Sequence, residues 1–138
     1  MSAGAQFALR LRVRYVECDM QGRAFNGHYL TWVDMAHSEA LRELFGGYAA
    51  LTERGIDFVV VAAELRFRRP AQFDDELAIT VVIEAPGRTT LHSTYRIERG
   101  TDLIAEAALT HVCVDAKNFE KQPWPEWFRK RLAAAEAR

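Results

Sequence analysis

The stretch 17–32, ECDMQGRAFNGHYLTW, gathers several side chains able to act on a carbonyl group. Asp19 is a carboxylate at neutral pH, suited to attack an acyl carbon or to activate a water as a general base. An aspartate is equally at home in a turn, where its side chain accepts from nearby backbone N–H groups. The residues alone leave both readings open. Asn26 and Gly27 follow where a helix-like pattern is about to begin. The first N–H groups of a helix have no internal partners and carry partial positive charge, so they can hold an oxyanion. Asn26 is also a favourable N-cap, and the two roles are compatible because the cap uses the side chain and the oxyanion the backbone.

Other reactive types in the stretch fit less well. Cys18 beside Asp19, with His28 nearby, suggests a cysteine nucleophile, but strand neighbours point to opposite faces and nothing orients His28 as a base. Glu17, Asp19, His28 and Asp34 lack the spacing of a metal site, so no metal is expected. His37 reads as a core histidine, and His92 and His111 stand singly on strands with no role assigned. Arg66, Arg68 and Arg69 cluster at a strand end, either as solvated surface or as a grip on phosphates, which the guanidinium fork suits. P-loop, dinucleotide-glycine, nucleophile-elbow and His-Glu-x-x-His motifs are absent, so no cofactor is expected.

The elements that must position these residues are legible as periodicities. Phe7, Leu9, Leu11, Val13 and Tyr15 alternate with Ala8, Arg10, Arg12 and Arg14, as in a half-buried strand. From Tyr29 to Phe45 the period becomes helical: Tyr29, Val33, Ala36, Ala40 and Leu44 share a face, with Leu30, His37 and Leu41 beside it. So wide an apolar arc predicts a helix wrapped by other structure, ended by Gly46 and Gly47. A short helix over YAALTER precedes Gly55. Four strands follow: DFVVVAAELRFR, ELAITVVIEA, TTLHSTYRIE and LIAEAALTHVCVD, with PGR and RGTD as turns between the last three. The tail EWFRKRLAAAEA reads as a helix with Pro125 as a possible first residue. One early helix among antiparallel strands predicts an α+β domain, the helix packed on one curved sheet.

The 138 residues suit one domain, with a core over about 7–115 and a tail over 116–138. Hydrophobic residues at 49% and charged residues at 27% place the chain among globular proteins. A net charge of −1 gives no sign of a nucleic-acid surface. No run approaches the ~20 apolar residues of a membrane span, and arginines interrupt the N-terminal stretch where a signal peptide would be apolar. A soluble cytoplasmic protein is the expectation. Cys18 and Cys113 show neither disulfide nor zinc spacing.

The pattern Tyr15-x-Glu17-x-Asp19-x-x-Gly22-x-x-Phe25-x-x-x-Tyr29-Leu30, followed by Asp34 and Ala36, resembles the signature of hotdog-fold thioesterases. It is most similar to the branch of 4-hydroxybenzoyl-CoA and short acyl-CoA thioesterases, which RPAQFDDEL (69–77) also resembles. The resemblance covers about Phe7 to Asp115. It implies a hotdog fold, a curved antiparallel sheet wrapped around one long central helix, in a homodimer or homotetramer with sites at subunit interfaces. It implies hydrolysis of an acyl-CoA to free acid and CoA, with no cofactor beyond the substrate. Asp19 matches the catalytic aspartate of such proteins, and Asn26, with Gly27 beside it, the N–H that polarises the thioester carbonyl. Phe25, His28, Tyr29, Arg68 and Arg69 then become candidate substrate contacts. The chain departs from the branch at Asn26, often histidine or tyrosine; at His28, often asparagine; at Glu17, commonly aspartate; and at Arg23, usually aliphatic. Two alternatives use the same scaffold: a non-catalytic acyl-CoA or acyl-carrier binding protein, and a dehydratase or hydratase using His28.

Overall fold

The computed structural model describes residues 4–136. The elements run β1 (Ala5–Arg12), α1 (Asn26–Phe45), α2 (Tyr48–Glu53), β2 (Ile56–Phe67), β3 (Glu76–Ile83), β4 (Thr90–Arg99), β5 (Asp102–Asp115) and α3 (Glu126–Glu136), with one 3-10 turn at Tyr15–Glu17. The five strands form one sheet in the order β1-β3-β4-β5-β2, antiparallel throughout. This is the expected α+β, hotdog-like arrangement. β1 and β2 are thus consecutive strands on opposite edges, and the chain between them must cross the sheet. Four inter-strand gaps of ~4.8 Å span about 19 Å. The 20 residues of α1 span about 30 Å at 1.5 Å each, enough to make that crossing.

The helix buries Tyr29, Trp32, Val33, Ala36, His37, Ala40, Leu41 and Leu44, the stripe its period predicted. Its main strand contacts are with β1 and β3, against Phe7, Leu77, Ile79, Val81 and their neighbours in the core. Gly46 ends it in the left-handed region at φ 90°, its N–H donating to the Arg42 carbonyl. The tail is part of this core. Trp124, Phe128 and Leu132 are buried in the same cluster, and Phe128 stacks between Phe45 and Trp124. Arg131 Nε donates to the Leu44 carbonyl at 2.9 Å, satisfying the C-terminal end of α1.

Three details differ from the sequence reading. β1 ends at Arg12, where its pairing with Glu76 ends, although the alternation runs on. Tyr15, expected on the buried side, is therefore 81% exposed and edge-to-face with Phe73. α1 begins at Asn26 as expected, but Asn26 is its first helical residue and Phe25, not Asn26, is the N-cap. Pro125 precedes the first residue of α3, and its carbonyl accepts from the Phe128 and Arg129 N–H groups.

β2 is an edge strand with an unusual surface. A bulge between Val60 and Ala62 leaves Val61 out of register with β5. Val59, Val60 and Val61 are exposed, at 37%, 51% and 57%. On the inner side, Val60, Ala63, Leu65 and Phe67 sit opposite His111, Leu109, Ala107 and Ala105, all buried. The helix side of β2 is thus apolar yet largely uncovered.

A second feature lies under this strand. His37 and His111 stack at 4.2 Å with rings nearly parallel, and Phe58 meets both edge-on. His37 Nδ1 lies 3.3 Å from the Tyr95 hydroxyl, itself 2.7 Å from Ser93 Oγ. His111 is 1% exposed and neither ring nitrogen has a partner among the described residues. Burial, then the neighbouring His111, pushes His37 down to about 3; burial pushes His111 down to about 4. A histidine whose folded pKa lies below its unfolded value takes up its proton mainly in the unfolded state as pH falls. Stability from the neutral pair is therefore complete above about pH 6.5 and is lost as pH drops toward 4 and below. Unfolding free energies from urea titrations should fall over this window, by at most about 1.4 kcal/mol per pH unit for each histidine. His111→Phe should reduce that slope and raise stability at pH 7, since it removes two unpaired buried nitrogens. Identical slopes in the two proteins would contradict the neutral buried pair.

Candidate active site

The segment between β1 and α1 is a compact hairpin. Cys18 bridges Ala24, the Asp19 N–H donates to the Arg23 carbonyl at 2.8 Å, and the Gly22 N–H returns to the Asp19 carbonyl at 3.0 Å. Gly22 turns the chain at φ 76°, a conformation that strains any residue with a Cβ. A further bond runs from the Ala24 N–H to the Ala71 carbonyl, and the Tyr29 hydroxyl accepts from the Ala71 N–H at 3.1 Å. Loop, helix start and the segment before β3 are thereby tied together.

Asp19 has both characters that its type allowed. Oδ1 accepts from the Gln21 N–H at 2.8 Å, the turn role. Oδ2 accepts no hydrogen bond among the described residues, and the side chain is exposed. A cleft of about 240 Å³ opens beside it, lined by Asp19, Gln21, Arg23, Asn26, Tyr29 and Phe67, with Arg68, Arg69 and Pro70 at one wall. Asp19 and Asn26, seven residues apart, thus meet in one cleft. The negative charge of Asp19 also reaches the Tyr29 phenol, whose pKa is raised chiefly by burial.

Asn26 does not cap the helix. Phe25 is the N-cap, extended at φ −68° and ψ 140°, with no side-chain cap bond. Asn26 is the first helical residue. The Asn26 and Gly27 N–H groups donate to no acceptor among the described residues, whereas the next N–H, of His28, already returns to the Phe25 carbonyl. The unpaired donors that an oxyanion needs are therefore present at both positions, although Gly27 and Phe25 do not line the cleft. Phe25 is exposed and packs edge-to-face on His28.

Of the remaining candidates, Tyr29, Arg68 and Arg69 line the cleft and His28 does not. Arg68 is engaged with Glu106 through Nε at 3.1 Å and a terminal nitrogen at 2.8 Å. The Arg69 and Arg23 guanidinium groups have no ion pair or hydrogen bond among the described residues. Asp34 lies exposed on α1 outside the cleft, and no group of three metal-ligating side chains converges among the described residues. Gln21, Arg23, Phe67 and Pro70 were not singled out from sequence. For Phe67 the alternation Ala63, Leu65, Phe67 held the signal, since it aims that ring at the helix.

This geometry can be set beside that of known proteins. The pattern of the thioesterase-like superfamily matches residues 13–132, spanning the loop, α1, strands β2 to β5 and most of the tail helix. The chain belongs to the thioesterase-like superfamily. It is 30% identical over 121 residues to the acyl-CoA thioester hydrolase YbgC of Escherichia coli O6:H1, covering 87% of this chain and 90% of that one. It is 29% identical over 110 residues to the long-chain acyl-CoA thioesterase FadM of Escherichia coli K12, covering 78% and 83%. Among solved structures, a hypothetical protein from Thermus thermophilus superposes with a TM-score of 0.85 at 28% identity, covering 93% and 98%. The fold of this superfamily member is the hotdog. No helix among its described residues is long and apolar enough to cross a membrane.

Gly22 supplies a test of the loop. A Cβ there meets nothing within 4 Å, so the cost of Gly22→Ala is backbone strain alone. Urea unfolding should show a loss of about 1–2 kcal/mol, and Gly22→Asn, which tolerates positive φ, a smaller one. Equal stabilities for the wild-type protein and both variants would contradict the turn.

Proposed function

We propose that this protein hydrolyses acyl-CoA thioesters to a free acid and CoA. One observation carries the reading: the cleft beside α1 combines an aspartate oxygen with the backbone N–H of Asn26, and neither has a hydrogen-bond partner among the described residues. A thioester carbonyl needs both. Its carbon accepts a nucleophile while its oxygen gains negative charge, and one preorganised donor can contribute about 3–4 kcal/mol to that transition state.

In this reading the carbonyl oxygen points at the Asn26 and Gly27 N–H groups. Asp19 Oδ2 attacks the carbon or removes a proton from a water that does. The C–S bond breaks, CoA leaves as a thiolate that takes up a proton, and, if Asp19 is the nucleophile, the single water enters afterwards to open the anhydride. Oδ1, held by the Gln21 N–H, fixes the carboxylate's direction. Tyr29 and Phe67, edge-to-face at 5.0 Å, offer an apolar wall for the acyl group. Arg69 and Arg23 are uncommitted cations at the rim, suited to phosphates of CoA. His28, directed at Phe25 and outside the cleft, gives the hydratase alternative no support.

A homodimer completes the site in this proposal. The uncovered apolar inner side of β2 and its three exposed valines form an edge that a second copy satisfies by continuing the sheet. Leu30 and Asp34, one helical turn apart and both exposed, face outward from α1 toward that partner.

Two outcomes follow. Asp19→Asn should lower thiol release from a panel of acyl-CoAs by at least about a hundredfold with an unchanged circular dichroism spectrum; wild-type turnover in this variant would sink the assignment. Light scattering should give twice the chain mass or a multiple of it, and Val60→Asp should shift the population to monomer with loss of turnover. A fully active monomer would rule out the shared site.

A further inference from the structure

Glu17 is the one buried acid beside the cleft, 5% exposed and two residues before Asp19. Its carboxylate gathers three donors. Oε1 accepts from the Arg14 N–H at 2.8 Å. Oε2 accepts from the Trp32 indole Nε1 at 2.9 Å and from the Arg14 guanidinium at 3.4 Å. Burial alone would raise its pKa, but the Arg14 N–H, the Trp32 indole and the Arg14 side chain outweigh it, and the net shift is downward. The backbone of the same residue is also engaged, since the Glu17 carbonyl accepts from the Phe25 N–H at 2.9 Å.

Those partners lie on different bodies. Arg14 belongs to the loop. Trp32 is 1% exposed, on α1, packed against Tyr29 at 4.9 Å and fixed in the core. Phe25 is the N-cap that decides where α1 begins. Glu17 therefore holds the loop to the helix twice, once through its carboxylate and once through its carbonyl. The two bonds bracket Asn26 in sequence, one before the first helical residue and one six positions into the helix.

We propose that Glu17, through Trp32, is a positioning residue that sets the distance between the Asp19 carboxylate and the N–H groups at the start of α1. It touches no reacting atom. It fixes the span that a thioester carbonyl must bridge, which is where small displacements are costly: about 1 Å of misplacement can lower turnover by ~10²-fold. A buried ionised carboxylate suits this task because charge-assisted bonds are shorter and stiffer than neutral ones. This inference rests on the acyl-CoA hydrolase reading and deepens it by naming what aligns its two halves.

The test is steady-state thiol release by the full chain, with kcat and KM measured for Glu17→Gln, Trp32→Phe and the double variant, beside Asp19→Asn. Glutamine keeps the shape but turns an NH₂ toward a donor; phenylalanine keeps one aromatic ring and removes the indole N–H together with the five-membered ring that carries it. Each single variant should lose about 10–100-fold in kcat with KM within about twofold, and the double variant should lose no more than the worse single one. A role confined to stability predicts instead wild-type kcat per folded molecule, with lower melting temperatures. Wild-type kcat in Trp32→Phe overturns the proposal even if Glu17→Gln does not fold. So does multiplicative loss in the double variant. Inactive Asp19→Asn alongside fully active Glu17→Gln and Trp32→Phe defeats this inference alone. No thiol release by the wild-type chain from any acyl-CoA defeats the hydrolase reading and this inference with it.

Discussion

A helix offers unpaired N–H groups only in its first turn, so the cleft is governed by where α1 starts. It starts at Asn26 because Phe25 is held extended, its N–H taken by the Glu17 carbonyl. Every other feature of the cleft is arranged around that point. The hairpin 18–24 places Asp19 beside it. Ala71 holds both the hairpin, through Ala24, and the helix, through the Tyr29 hydroxyl. The far end of α1 is fixed by the tail, through Arg131 on the Leu44 carbonyl and Phe128 on Phe45. A 20-residue helix anchored at both ends has little freedom to slide, and the N–H groups at its start keep their place.

The periodic elements were plain in the sequence. The stripe Tyr29, Val33, Ala36, Ala40, Leu44 is what a helix buried on one side must show, and the alternation in β3 and β4 is what a sheet with one covered face must show. Signals failed where local pattern and tertiary pairing part. The β1 alternation extends to Tyr15, yet only the register with β3 decides where the strand stops, and that register depends on residues some 65 positions away. Asn26 has a capping side chain, but the loop's own bonds made Phe25 the cap. The pairing of Glu17 with Trp32, 15 residues apart, follows no secondary-structure period. Asn26 is marked by its place at the start of the helical pattern, whereas the choice between turn and catalytic roles for Asp19 rests on the spacing of the family pattern. That they share a cleft is a product of the hairpin between them.

The sheet divides its edges by chemistry. At β1 the outward face carries Arg10 and Arg12, paired with Glu76 and Asp74, a charged margin that resists further pairing. At β2 the valines and the bulge make the opposite margin apolar. One edge is charged and the other is apolar. The neutral His37–His111 stack lies directly under the apolar edge, buried at the cost of unpaired nitrogens. The same helix serves both regions: Asn26 and Tyr29 line the cleft, and His37, in its middle, belongs to the histidine pair.

The proposed hydrolysis requires one thioester carbonyl to fit between the Asp19 carboxylate and the first N–H groups of α1. A crystal structure with an acyl-CoA analogue in which a methylene replaces the thioester sulfur and the carbonyl is kept would show this geometry. The carbonyl oxygen should lie within about 2.7–3.1 Å of the Asn26 or Gly27 N–H, with Asp19 Oδ2 facing the carbonyl carbon directly or through one water. An analogue bound with its carbonyl turned away from the start of α1, or bound elsewhere on the protein, would contradict it.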